Sequence, residues 1–121
     1  MKTFSALCLL SLATLAAASA QAANPAPADC ITLSNDQQIV RKGASSNLLL
    51  RNGSEHYIVH FKSSCASAAL SRKLEFVTPG NEGQLCGANA SKLLTKDQTC
   101  TVASVEPISA DDFASRARAR R

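Results

Sequence analysis

The sequence predicts a small, mainly β protein: an antiparallel barrel or sandwich of about six short strands with one short helix, stapled by two disulfides. Two patterns support this prediction. Short segments alternate apolar and polar residues, and Gly, Pro and Asn turn signals separate them at regular spacing. The predicted domain covers residues 29–108, a length at which a hydrophobic core alone is marginal and covalent cross-links are usual.

The best-defined element is a hairpin within LLLRNGSEHYIVHF, residues 48–61. Asn52-Gly53 suits a two-residue type I′ turn, because both central positions of that turn need a positive φ. This register pairs Leu50 with Glu55 and Leu48 with Tyr57. The period of two then gives each face of the hairpin five residues. One face carries Leu48, Leu50, Tyr57, Val59 and Phe61, and the other carries Leu49, Arg51, His56, Ile58 and His60.

The remaining elements follow from shorter patterns. LEFVT (74–78) and GQLC (83–86) flank the turn signal Pro79–Glu82, which predicts a second hairpin. CTVASVE (100–106) alternates again and ends at Pro107. Between the hairpins, Ser63 or Ser64 can cap a short helix through CASAALSR. Trp is absent, so we expect an aliphatic core of Ile31, Leu33, Ile39, Val40, Leu48, Leu50, Ile58, Val59, Leu74, Leu85, Leu93, Val102 and Val105.

The N-terminus predicts export. Lys2 precedes an apolar run from about residue 4 to 16, and two A-x-A sites follow it, Ala18-Ser19-Ala20 and Ala20-Gln21-Ala22. We interpret residues 1–22 as a signal peptide, too short in its apolar part to span a membrane, and residues 23–28 as a Pro/Ala spacer. Cys8 leaves with the signal peptide, and no transmembrane segment remains after cleavage. The expected location is periplasmic or secreted.

Four cysteines remain after cleavage: Cys30, Cys65, Cys86 and Cys100. An even number in a short exported chain indicates two disulfides, and no C-x-x-C pair is present for redox chemistry or zinc. Four cysteines allow three pairings. We favour Cys30–Cys100 with Cys65–Cys86, which ties the first strand to the last, and place Cys30–Cys65 with Cys86–Cys100 second.

The order of these signals resembles a family of small exported four-cysteine β domains from Gram-negative bacteria, whose function is unassigned. The resemblance rests on DCI at the start of the domain, a cysteine after the third strand, QLC, and CTVASVEP at the end. It covers about residues 29–108. The chain departs from the Pro-Gly-Leu that members carry after the second cysteine, because Ala66–Leu70 reads ASAAL here. The resemblance implies a four-cysteine β domain, and no activity.

Candidate chemical groups are scattered. His56 and His60 share a strand face with Cβ atoms about 13 Å apart, too far for one metal ion. No G-x-S-x-G motif or Gly-rich phosphate loop is present. Carboxylates occur singly, at Glu55, Glu75, Glu82, Asp97 and Glu106. We therefore name no catalytic, cofactor or metal residues and expect no cofactor, although carboxylates on different strands can converge in space.

The basic charge is concentrated in the C-terminal tail, residues 109–121. Ser109 can cap a helix, with Asp111 and Asp112 near its N-terminus and Asp112 placed to pair with Arg116. Two interpretations stay open: a frayed solubilising tail, or a contact for anionic surfaces such as lipopolysaccharide or lipid headgroups. The residues of that contact are Arg116, Arg118, Arg120 and Arg121.

Together these patterns favour a non-enzymatic binding or interaction module of the periplasm, acting as a monomer on an unknown protein or an anionic envelope component. Nucleic acid is not expected, because aromatic residues for base stacking are scarce. Two alternatives remain. One is an inhibitor of an exported hydrolase that presents the turn Pro79–Gly83 from a rigid frame, and the other is a small hydrolase or lyase with a dispersed carboxylate site.

Overall fold

The computed structural model describes residues 30–121, so the predicted signal peptide, spacer and Asp29 lie outside the described residues. A 3₁₀ helix at Ala66–Ala69 lies between the fourth and fifth strands, and helix α1, Ala110–Ala119, follows the last strand. Within residues 30–121 no helix has the length and apolarity needed to cross a bilayer. The strands are β1 (Cys30–Thr32), β2 (Gln37–Val40), β3 (Asn47–Asn52), β4 (Glu55–Phe61), β5 (Glu75–Val77), β6 (Gln84–Cys86), β7 (Lys92–Leu94) and β8 (Thr99–Ile108).

The strands form two antiparallel sheets, which confirms the predicted fold class with eight strands in place of about six. Six strands form a curled half-barrel in the order β2-β3-β4-β8-β7-β5, and β1 pairs with β6 in a second, two-stranded sheet. The long strand β8 joins two parts of the large sheet: its first three residues pair with β7 and the rest pair with β4. A register shift after His60 leaves Ala103 as an extra residue, and such bulges bend a strand.

The first hairpin forms, but its predicted register is wrong. Asn52 lies opposite Glu55, so Gly53 and Ser54 make the two-residue turn, and Leu50 faces Tyr57. Gly53 has a φ of +63°, which an L side chain rarely adopts. The shift equals two residues, so it moves no side chain to the other face of the sheet.

The second predicted hairpin does not form. β5 pairs with β7 and β6 pairs with β1, so the segment Pro79–Gly83 carries the chain from one sheet to the other. Two buried hydroxyl groups secure the base of this segment. Thr78 Oγ1 donates to the carbonyl of Gln84 at 2.8 Å and is hydrogen-bonded to Ser91 Oγ. Ser91 Oγ also accepts from the N–H of Cys86 at 2.7 Å.

All residues predicted for the core lie in one of two apolar clusters. The larger cluster fills the concave side of the sheet and includes Leu48, Leu50, Val59, Leu85 and Val102, all fully buried. The smaller cluster covers the opposite face of the β3–β4 hairpin, where Leu49 and Ile58 pack against Phe113 of α1.

Beyond the predicted boundary at residue 108, helix α1 packs against the β3–β4 hairpin. Helix α1 is capped by Ser109, whose hydroxyl accepts from the N–H of Asp112 at 3.0 Å, as the sequence predicted. Phe113 retains only 7% exposure because it packs against Leu49 and Ile58 on this face of the hairpin. Burying these three side chains together makes α1 part of the packed domain.

Two disulfides are present, but the favoured pairing and the second choice are both wrong. The bonds join Cys30 to Cys86 and Cys65 to Cys100. The first follows from strand pairing, because β1 lies beside β6 and places Cys30 directly opposite Cys86. The second follows from the β4–β8 ladder, which brings Cys65, just beyond β4, to the beginning of β8. Two disulfides are typical of proteins in an oxidising, extracytoplasmic compartment.

Candidate functional site

The most distinctive surface of the described residues lies at the free edge of β5. Here the segment after the 3₁₀ helix meets the turn between β7 and β8 around an open pocket of about 640 Å³. We call it the Leu70 surface, because Leu70 is its most exposed apolar residue. Its lining consists of Leu70, Arg72, Lys73, Glu75, Leu94, Thr95 and Lys96.

Leu70 is held in an exposed position by a hydrogen-bonded segment. Its side chain is 84% exposed, whereas the next residue, Ser71, is 2% exposed. The hydroxyl of Ser71 donates to the carbonyl of Ser67 at 2.8 Å and accepts from the N–H of Lys96 at 2.9 Å. Arg41 also donates to the carbonyl of Ser71. The backbone on the C-terminal side of Leu70 is thus fixed, and the leucine projects outward from an ordered frame.

The two halves of the surface are joined directly beneath it. Ser67 bonds to the turn after β7 twice: its hydroxyl lies 2.6 Å from Thr95 Oγ1, and its N–H donates to Gln98 Oε1 at 3.1 Å. Gln98 in turn donates to the carbonyl of Ser64 at 3.2 Å. The Cys65–Cys100 disulfide links the same two segments covalently. The relative position of Leu70 and Lys96 is therefore fixed by both covalent and polar bonds.

The charges around the pocket are predominantly positive. Arg72, Lys73 and Lys96 are exposed, and the lining holds a single carboxylate, that of Glu75. No salt bridge within residues 30–121 involves any of these four side chains. Leu94, 36% exposed, adds a second apolar side chain among the cations. The surface thus combines uncompensated positive charge with exposed leucine.

The candidate carboxylates are not brought together in a buried site. Glu75 and Glu82 line a second pocket of about 370 Å³ beside β5, and both are exposed. Glu106 lies 2.8 Å from His60 Nε2, and Glu55 lies at the end of the first hairpin. Carboxyl groups that act as acid and base in hydrolysis flank the bond they cleave, and these exposed positions do not form such a pair.

The histidines lie apart on β4. His60 pairs with Glu106, while the ring of His56 lies against Phe113 with centroids 4.9 Å apart. Among residues 30–121, no three His, Cys, Asp or Glu side chains are grouped to hold a metal ion.

The four C-terminal arginines are not equivalent. Arg116 Nε donates to Asp112 at 2.9 Å, the i,i+4 pair that the sequence predicted. Arg120 donates to Asn47 Oδ1, and its aliphatic carbons approach Gly43 so closely that a Cβ there would lie 3.3 Å from them. Burial, and secondarily the charge of Arg116, lowers the pKa of Arg120. Arg118 and Arg121 are exposed, and no salt bridge within the described part of the chain involves them.

The sequence reasoning missed the Leu70 surface. Its residues come from two segments, 70–75 and 94–96, which the pairing of β5 with β7 brings together. The available local signal was a leucine followed after one serine by Arg72-Lys73. The sequence analysis instead placed Leu70 in the predicted short helix.

No family model, curated protein or solved structure matches this chain. The resemblance to exported four-cysteine domains therefore stays a prediction from the sequence. What can be concluded about function must come from the geometry of the described residues.

Proposed function

We propose that this protein is a non-enzymatic interaction module of the periplasm that binds an envelope component through the Leu70 surface. The observation that carries the proposal is the exposure of Leu70 on a frame fixed by Ser71 and by the Cys65–Cys100 disulfide. An apolar side chain left this exposed contributes little to the core. Leu70 and Leu94 lie among three cations that no salt bridge within residues 30–121 engages, so this surface offers a partner both apolar and electrostatic contacts.

The fixed frame supports binding for a second reason. Ordering flexible loops on association costs free energy, and a surface already held in place avoids part of that cost. The two disulfides also support an exported protein, since such bonds persist in oxidising compartments. The periplasm is the compartment that the predicted signal peptide and the family resemblance favour.

The inhibitor alternative retains one supporting observation. The Pro79–Gly83 turn is closed at its base by the bond between Thr78 Oγ1 and the carbonyl of Gln84, which gives it a defined shape. A hydrolase partner would then contact this turn and leave Leu70 free. The two functions therefore predict different contact residues.

Site-specific photocrosslinking in cells that export the protein to the periplasm distinguishes these two functions. A photoreactive residue would replace Leu70, Lys96, Glu82 or Arg121, one at a time. We expect crosslinked envelope components from positions 70 and 96 and few from 121. Crosslinks from position 82 alone, to a soluble exported hydrolase, would favour the inhibitor. Crosslinks from none of these positions would contradict the proposed interaction module.

A further inference from the structure

We propose that the Leu70 surface docks on an anionic lipid membrane, with Leu70 inserted among the headgroups and Arg72, Lys73 and Lys96 against lipid phosphates. This inference rests on the proposed function and names the partner of the same surface. Each basic side chain beside an anionic leaflet adds to the free energy of binding. A nearby apolar side chain adds further when its surface is removed from water.

The composition of the surface favours a membrane over a protein partner. The centres of protein interfaces are enriched in aromatic residues and depleted in Lys. The Leu70 surface has two lysines and no aromatic residue among its lining side chains. Lysine and arginine stems also lie along apolar surface while their charged ends reach water or phosphate.

The shape of the surface agrees with its composition. Leu70 is 84% exposed and projects from the surface, while Leu94, 36% exposed, lines the open pocket beside it. A projecting leucine can enter the headgroup region without opening the protein, and the surrounding cations then lie at phosphate depth. A pocket that anchored a protein side chain would place its apolar groups inward.

The single carboxylate of the surface limits how the protein docks. Glu75, on β5, lies at the side shared with the second pocket, whereas Lys96 lies beyond β7. Against an anionic surface, repulsion at Glu75 favours an orientation in which the segment 70–73 and Lys96 face the lipid.

Vesicle binding with charge-matched variants tests the proposal. The exported protein would be titrated with vesicles of phosphatidylglycerol and phosphatidylethanolamine, and with phosphatidylcholine vesicles as the neutral comparison. Lys73→Ser with Lys96→Ser removes two charges from the surface, and Arg118→Ser with Arg121→Ser removes two from α1. Both double variants therefore have the same net charge.

We expect the wild type to bind anionic vesicles at least tenfold more tightly than neutral ones at low salt. The Lys73/Lys96 variant should lose roughly tenfold in affinity, and the Arg118/Arg121 variant less than about threefold. Leu70→Ser should lose roughly fivefold with an unchanged melting temperature, because an exposed leucine contributes little to the core. The loss from the lysine variant should shrink as salt rises.

Equal losses in the two double variants would overturn the proposal, since the attraction would then follow net charge alone. So would full binding by Leu70→Ser, or no binding of the wild type to anionic vesicles. If the wild type does not bind anionic vesicles while position 70 crosslinks to a protein, the proposed membrane partner is wrong and the proposed interaction module is retained. A dimer that Leu70→Ser dissociates in sedimentation would instead assign the surface to a second copy.

Discussion

The side chain of Asn52 donates to the main-chain carbonyl of Thr32 at 2.9 Å and so joins the end of β3 to the end of β1. Its Oδ1 accepts from the N–H of Ser34 at 2.7 Å, and the residue is only 8% exposed. Asn52 thus connects the large sheet to the small one. We predicted Asn52 as a central turn residue, but it lies at the end of β3 opposite Glu55, where it makes these two bonds.

Replacing Asn52 with Ala should destabilise the fold by about 2 kcal/mol, because it removes two part-buried hydrogen bonds and leaves the N–H of Ser34 and the carbonyl of Thr32 without these partners. Urea unfolding measures this free energy. Ser54→Ala, an exposed position in the same turn, is the matched control and should change stability by less than about 0.5 kcal/mol. Equal effects of the two substitutions would mean that Asn52 acts only through the turn.

Removing the side chain of Phe113 should reveal whether α1 belongs to the domain. Phe113→Ala exposes Leu49 and Ile58, and we expect a loss of about 3 kcal/mol in the free energy of unfolding. Ala114→Ser on the same helix is the control. A loss below about 0.5 kcal/mol would show that α1 contributes little to the domain and would favour the interpretation of residues 109–121 as a frayed tail.

The disulfides are testable by peptide mapping, because trypsin places each of Cys30, Cys65, Cys86 and Cys100 in a different peptide. Under non-reducing conditions we expect the peptide ending at Arg41 linked to residues 74–92, and residues 63–72 linked to 97–116. Any other linkage between these peptides contradicts the strand pairing described above. Reduction should release all four peptides.

The two disulfides should differ in their effect on binding. Cys65→Ser with Cys100→Ser and Cys30→Ser with Cys86→Ser should each destabilise the protein by about 2–5 kcal/mol. Only the first pair links the segments that carry the Leu70 surface. At a temperature where both variants remain folded, the Cys65/Cys100 variant should therefore lose more vesicle affinity. Equal losses would show that the disulfide does not position the surface.

The Arg51–Asp36 pair predicts a specific pH dependence. The hydrogen bond from Arg51, and then its charge, lowers the pKa of Asp36 below the usual value. A lowered carboxyl pKa stabilises the fold at pH values above the unfolded pKa, about 3.9, and this contribution disappears as the pH falls through the folded value. The effect is small because the pair is exposed.

Melting temperatures at pH 7 and pH 2.5 measure this contribution. The wild type should exceed Asp36→Asn at pH 7, and the difference should narrow at pH 2.5. The wild type should also exceed Arg51→Gln at pH 7, and that difference in melting temperature should narrow at pH 2.5 as well. A difference that does not depend on pH would show that the pair contributes no linked stability.

The fold class and both faces of the first hairpin were predictable because alternation of period two survives a register shift of two residues. The register itself was not, since it depends on bonds from Asn52 to residues 18 and 20 positions away. The disulfide pairing failed for a similar reason. The disulfide pairing depends on which strands pair. We predicted that β6 pairs with β5, whereas it pairs with β1.

The candidate site was less predictable than the fold. The sequence located positive charge in the C-terminal arginines, but Arg116 and Arg120 bond to Asp112 and Asn47 within the chain. The exposure of Leu70 arises from the burial of its neighbour Ser71, which bonds to Ser67 and Lys96. Such an arrangement depends on long-range packing, and the local pattern Leu70-Ser71-Arg72-Lys73 does not show which of these side chains is exposed.

The most direct test of the Leu70 surface is an NMR measurement with anionic lipid nanodiscs that contain a spin-labelled headgroup. If the surface docks on the membrane, the backbone amide signals of Leu70, Lys73 and Leu94 should broaden most, while those of α1 keep their intensity. Broadening confined to Arg118 and Arg121, or uniform over the protein, would contradict the central claim that this surface makes the contact.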